Sequence, residues 1–213
     1  ITQEYTVFTA QNWDKLMKAV ERRIGQGGGP AAPSAQHGEK VMGIVQLGDL
    51  MEGLAGSPEL ARKMEYGTIQ ALREPNFPVP WILVKGNHDG WYGPGEVEVY
   101  NEIMVPFRNK QIGITALGVS FRYRVGDIEF FCPGYGLKPD ELTAFLEKGL
   151  TESNAKFKFV AMHEPVIPVT GRCWDIFKFS DMKMRAENQE RLLGLIAKNK
   201  AIVLCAHLHR YSV

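Results

Sequence analysis

The sequence lacks a long apolar run, a cysteine pair and an excess of charge of either sign, and each absence removes a class of function. No stretch approaches the roughly 20 consecutive apolar residues that cross a bilayer, so no membrane segment is expected. Lys and Arg number 25 against 24 Asp and Glu, a formal net charge of +1. That balance supplies no global field to draw in nucleic acid or an anionic membrane surface, and no nucleic-acid partner is expected. Cysteines number only 3, at Cys132, Cys173 and Cys205. They are widely spaced, odd in number and form no Cys-x-x-Cys pair, which argues against a thiolate zinc site or a disulfide framework. Cys205 closes the apolar run from Ala201 and reads as a small hydrophobe. Cysteine usage leaves the compartment open. The chain opens on Ile1 rather than a methionine, and no signal-peptide pattern follows it. Both ends read as cuts.

What is there is the composition of an ordinary globular protein, 45% hydrophobic and 23% charged over 213 residues, expected to form a single domain over 1–213. Trp13, Leu16, Met17, Val20 and Ile24 fall at helical spacing and predict an amphipathic helix over 10–24. The Gly-, Pro-, Ala- and Ser-rich stretch from Gly25 to about Lys40 reads as a surface loop, with His37 solvated inside it. Val41 to Leu47 is a strand ending in Gly48-Asp49. A helix is expected over 58–73, with Ser57 as N-cap and Pro58 at its first position. Pro80 to Val84 is a second strand, ending in Gly86-Asn87-His88-Asp89. Residues 119–125 alternate, Gly126-Asp127 offers a hairpin turn, and Ile128 to Phe131 returns. Helices over 139–150 and 186–198 and strands over 157–162 and 201–205 complete the pattern. Lys183 and Arg185 read as a solvated face. There is no internal repeat and no second linker. Strands alternating with helices, interrupted by one hairpin, predict an α/β sandwich with a mixed sheet.

Four strand ends deliver side chains of metal-ligand type: Asp49 and Glu52, then Asn87-His88-Asp89, then His163-Glu164, then His207-x-His209. In α/β sheets ligands gather at the carboxyl ends of strands, so separate segments can converge there. Of the five histidines, all but His37 sit at such ends. A carboxylate such as Asp49 can bridge two cations, one oxygen to each. The imidazoles of His163, His207 and His209 are borderline ligands suited to zinc, iron or manganese. Asn87 adds a neutral carbonyl oxygen. The glycines before Asp49 and Asn87 let the chain turn sharply out of each strand. In an extended segment His207 and His209 point to one side and can face neighbouring ions.

Gly48-Asp49, Gly86-Asn87-His88-Asp89, a histidine after a strand and a terminal His-x-His resemble, in order and spacing, the calcineurin-like metallophosphoesterase family. The resemblance spans Gly48 to His209. It implies the fold of that family, a sandwich of mixed β-sheets flanked by helices, here apparently truncated at both ends. It implies hydrolysis of a phosphoester small molecule at a dinuclear centre of two divalent or trivalent ions (Mn, Fe or Zn), with a bridging hydroxide as nucleophile. Carried over by position, Asp49 resembles the bridging carboxylate. Asn87, His163 and His207 resemble the other ligands of one ion, and His209 a ligand of the second. His88 matches the catalytic histidine that helps the leaving oxygen depart, with Asp89 as its orienting partner.

Three departures from the family pattern stand out. Ala206 replaces the usual glycine before the last motif, which should be tolerated. Glu52 occupies the place of the second acid in Gly-Asp-x-x-Asp. The opening Asp-x-His motif is absent, since the first Asp is Asp14 in the predicted helix and the first His is His37 in the loop. It is expected just before Ile1.

Taken singly, Asp49 reads as a solvated turn carboxylate and His163 as a satisfied core histidine. His207 and His209 alone are as readily explained by chance. The order of all four segments favours the metal reading. Glu52 and Glu164 read better as surface or outer-sphere carboxylates than as direct ligands. Trp91, Tyr92, Arg172 and Trp174 are candidates for a substrate rim, Tyr92 and Arg172 as binding residues, since an arginine fork can clamp phosphate oxygens. Ordinary packing explains the aromatics equally well. Two rival functions remain, a metal-poor calcineurin-like interaction scaffold and a nuclease of the same superfamily. The second would call for a basic groove that the charge balance does not support.

Overall fold

The computed structural model describes residues 3–26, 40–90, 93–167 and 175–207, with side chains in the first helix described from residue 11 to residue 25. The chain divides into two compact units. The smaller, Ile1–Ile44 with Gln70–Pro80, contains helix α1 (Gln3–Gln26). The helix is longer than the span its apolar stripe predicts, because no Pro or Gly interrupts the chain between Gln3 and Trp13.

The larger unit, Val45–Ile69 with Trp81–Val213, carries the strands that matter for the site. β1 (Ile44–Gln46) and β2 (Trp81–Leu83) form a two-stranded sheet. The Ile44 N–H donates to the Pro80 carbonyl and the Val84 N–H donates to the Gln46 carbonyl, both at 2.9 Å. The bonds advance in the same direction along both strands, so the pair is parallel. A second, four-stranded sheet runs in the order β3 (Phe121–Val125), β4 (Ile128–Cys132), β5 (Phe157–Ala161), β6 (Ile202–Leu204). β3 and β4 are antiparallel, whereas β4–β5 and β5–β6 are parallel. The predicted hairpin is present. Val125 pairs with Ile128 across Gly126-Asp127, and Gly126 takes φ +57°, the left-handed conformation a two-residue hairpin needs at its first position.

Strand alternation then sorts the core onto two faces. Phe131 and Val160 point to one side, where Leu142, Leu146 and Leu150 of α4 (Pro139–Glu152) and Leu192 and Ile196 of α5 (Met182–Lys198) cover them. Phe121, Phe130, Cys132 and Ala161 point to the other, packing with Ile82 and Val84 of the first sheet and Ile112. Each fully buried leucine stabilises the fold by about 1.5–3 kcal/mol relative to an exposed one. Two sheets packed face to face with helices outside form the mixed α/β sandwich expected from the sequence.

α2 (Pro58–Arg73) starts where predicted, and the Ser57 hydroxyl accepts the Leu60 N–H at 3.3 Å, an N-cap contact. α5 starts four residues earlier than its apolar pattern suggests. The Asp181 carboxylate caps it by accepting the Met184 N–H at 2.9 Å. One helix, α3 (Glu96–Ile112), has no counterpart in the sequence reading. It buries Val99, Tyr100, Ile103, Met104, Val105, Phe107 and Arg108 and contains Pro106. A helix apolar around most of its circumference shows no single stripe for periodicity to find.

Cys205 is exposed, and among the described residues β6 pairs only with β5. One expectation is corrected here. Arg185 does not sit on a solvated face. Its guanidinium pairs with the fully buried carboxylate of Asp175, a burial that would be costly for the acid alone. Lys183 is solvated as expected, 86% exposed beside Glu187. No helix among the described residues is long and apolar enough to cross a membrane.

Candidate metal centre

The site is assembled by two turns that follow the parallel strands of the first sheet. Past β1, Gln46 folds its amide over the turn, accepting the Gly48 N–H at 2.9 Å and donating to the Gly48 carbonyl at 2.6 Å. Gly48 takes φ +97° and Asp49 φ +60°. The second value is uncommon for a residue with a side chain and marks a place where tertiary contacts override local preference. Past β2, the Gly86–Asp89 turn lies directly against the first. A Cβ on Gly48 would lie 2.6 Å from the Gly86 Cα and 2.6 Å from the His163 Nδ1, and one on Gly86 would overlap Asp49 Oδ1. Gly86→Ala should therefore push Asp49 out of place, costing roughly 1–3 kcal/mol of stability, a loss that chemical denaturation would measure.

Asp89, 1% exposed, clasps the two turns together. Its Oδ2 accepts the N–H groups of Asp49 and Gly86 at 2.7 and 2.8 Å, and its Oδ1 those of Leu50 and Met51 at 2.7 and 3.3 Å. Burial pushes its carboxyl up from the ordinary range, against the downward pull of those amides. The expected partnership with the His88 ring is not what these oxygens make. The His88 Nδ1 lies instead 2.5 Å from the Glu52 carbonyl oxygen, while the His88 N–H donates to Asp49 Oδ1 at 3.0 Å. Glu52 thus contributes a backbone atom, and its side chain is exposed.

From the second sheet come two histidines. His163 follows β5 and His207 follows β6. The parallel pairing of these strands continues past their ends, with the Met162 N–H donating to the Leu204 carbonyl at 3.0 Å and the Ala206 N–H to the His163 carbonyl at 2.9 Å. Ala206 is exposed and outside the positive-φ region, so nothing in this turn requires glycine there. His207 takes φ +66°. The His163 Nδ1 lies 2.7 Å from the Leu47 carbonyl oxygen, which assigns that nitrogen the proton of a neutral ring. Its Nε2 then stands 2.9 Å from Asn87 Oδ1, 3.0 Å from His207 Nδ1 and 3.1 Å from Asp49 Oδ2.

Four lone-pair atoms from four segments thus meet about one point, and Asp49, His163 and His207 offer donor atoms all within 4.8 Å of one another. Without a cation such a set is poorly satisfied. One proton on His163 can serve a single acceptor. Burial draws the His163 imidazole down, yet Asp49 and the Leu47 carbonyl outweigh it and hold the ring above its usual range. Burial likewise raises the Asp49 carboxyl, but the His163 contact and the His88 N–H hold it below the ordinary carboxylate range. Ligands at about 2.0–2.2 Å from a zinc-sized ion stand roughly 3 Å apart. The donor chemistry and spacing fit a divalent cation.

Asp49, Asn87, His163 and His207 are therefore brought together. His209, Tyr92 and Arg172, with Trp91, Trp174 and His37, lie outside the described residues. Sequence reasoning had no signal for the Leu47 and Glu52 carbonyls, which are main-chain atoms, or for Lys178 and Tyr135, which approach only through tertiary packing. Lys178 pairs with buried Glu164, and the Tyr135 ring stands edge-on to His163 at 6.3 Å between centroids.

Fold and donor set define an α/β protein with a candidate metal centre at its strand ends. The sequence profile for calcineurin-like phosphoesterases matches residues 9–211, and the chain belongs to that family. No curated protein matches it. Among solved structures the chain is similar to purple acid phosphatase PPD1 from yellow lupin (Lupinus luteus) seeds, at 17% identity and a TM-score of 0.48. The match covers 79% of this chain and 31% of that one, so the chain spans about a third of its length.

Proposed function

We propose that the chain is the catalytic part of a metal-dependent phosphoester hydrolase, with Asp49, Asn87, His163 and His207 holding one ion. The observation that carries this reading is the meeting of three lone-pair atoms around a fourth, the His163 Nε2, at 2.9–3.1 Å. Family membership supports the reaction class. A second ion would share Asp49 and use His209. Bound ions of this kind supply Lewis-acid polarisation of phosphoryl oxygens and activation of water.

The chain's own residues prepare the site for that chemistry. Asp89 holds the two turns in contact, Leu47 fixes the tautomer of His163, and Asn87 contributes an uncharged oxygen. The Glu52 carbonyl accepts from the His88 Nδ1, so a proton delivered to a leaving oxygen comes from Nε2 of the protonated ring.

Elemental analysis together with a generic phosphoester assay on the purified chain tests the proposal. Bound metal is expected in the wild type, with hydrolysis where the opening Asp-x-His motif is also supplied, and His163→Ala should lose the metal. A protein with neither metal nor hydrolysis would leave the scaffold reading in its place. His88→Ala should keep its metal while turnover falls roughly 100-fold, and unchanged turnover would refute the role given to His88.

A further inference from the structure

We propose that Glu164 is a positioning residue for the metal centre, its buried carboxylate fixing which nitrogen His207 presents to the ion. This rests on the metal-binding reading above. His207 reaches the centre through Nδ1, 3.0 Å from the His163 Nε2. Its other nitrogen, Nε2, lies 3.5 Å from Glu164 Oε1, and the Glu164 side chain is 5% exposed. The two ring nitrogens point in divergent directions, so Glu164 stands behind the imidazole, away from the point where the donors meet. At 3.5 Å the contact is at the outer limit of a hydrogen bond. A carboxylate in that place draws the ring proton to Nε2 and leaves the Nδ1 lone pair facing inward.

His163 is built the opposite way round, with Nδ1 against the Leu47 carbonyl at 2.7 Å and Nε2 facing the centre. Each imidazole thus has an oxygen behind it and its second nitrogen among the donors. For His163 that oxygen is a backbone carbonyl. For His207, which follows β6, it is a side chain from the loop after β5.

A buried carboxylate stays ionised only if a countercharge reaches it. Lys178 supplies it by pairing with the same Oε1. The ammonium also stands 5.5 Å from the centroid of the Tyr135 ring and 5.2 Å from that of Phe179. Tyr135 in turn packs edge-on against His163. The segment that carries Lys178 is tied down by the Ile176 N–H, which donates to the Pro165 carbonyl at 3.0 Å. Lys178 and Glu164 therefore brace the side of the centre formed by His163 and His207.

Titration of the purified chain with Co(II), followed by visible absorption, tests this. Glu164→Gln should weaken Co(II) binding about 10- to 100-fold while the melting temperature without metal stays within a few degrees of wild type. The double variant Glu164→Gln/Lys178→Gln leaves no lone ammonium buried, should show the same loss, and carries the test if the single variant does not fold. Lys178→Gln alone removes the countercharge but keeps the carboxyl group behind His207, and should show a smaller loss than Glu164→Gln. Wild-type affinity in the Glu164 variants overturns the proposal, as does an equal loss in Lys178→Gln. A wild-type chain that binds no Co(II) sinks the metal reading and this inference with it.

Discussion

Asp89→Asn should destabilise the protein by about 3–5 kcal/mol and lower its melting temperature by roughly 10 °C. Both oxygens of the buried Asp89 carboxylate accept two backbone N–H groups each, from Asp49 and Gly86 and from Leu50 and Met51. An asparagine has the same shape but only one acceptor. Whichever way its amide is turned, an NH2 group faces two N–H donors, at a position only 1% exposed. The acceptors lost join residues 38 to 40 positions apart in sequence, so the damage spreads to the positions of Asp49 and Asn87. Thermal unfolding followed by circular dichroism measures the loss. A variant melting within a degree or two of wild type would show that the two turns are held by something else.

Raising the pH from about 5 to about 9 should destabilise the protein through Glu65, and Glu65→Gln should flatten that dependence. Glu65 is 2% exposed, and its Oε2 has no hydrogen-bond partner. Burial pushes its carboxyl up from 4.5 to about 8, with the nearby charges of Asp89 and Glu96 adding to the shift and Lys85 opposing it. The folded protein holds this proton up to about pH 8 while the unfolded chain releases it near 4.5. The contribution is therefore fully present below pH 4.5 and lost as pH rises through about 8. Once the group is fully ionised the folded state has lost on the order of 3–5 kcal/mol. Urea midpoints at about pH 5, 7 and 9 for both proteins check this. Parallel pH curves for wild type and Glu65→Gln would remove Glu65 as the cause.

The strands and most helices were legible in the sequence because their signals are local. Ser57-Pro58 marks the start of α2, Gly126-Asp127 the hairpin, and the apolar runs at Trp81 and Phe157 two of the strands. The donor set was legible for a related reason. Each of Asp49, Asn87, His163 and His207 follows directly on a strand, and strands of one sandwich deliver their ends to one place. α3 was not legible, since burial around most of its surface erases the periodicity that identifies a helix. Asp89 could not be placed from its neighbour His88, because a carboxylate buried between two turns bonds to whichever amides the fold presents.

By itself the sequence determined the order of elements, the polar residues at each strand end and the family to which they belong, all of which depend on neighbours a few positions away. Tertiary structure alone decided which carbonyls face the His163 and His88 rings, the clasp of Asp89 on four amides and the pairing of Glu164 with Lys178. Those arrangements use main-chain atoms, or side chains distant in sequence. A carbonyl oxygen is the same in every residue, so its placement is set only when the sheets pack.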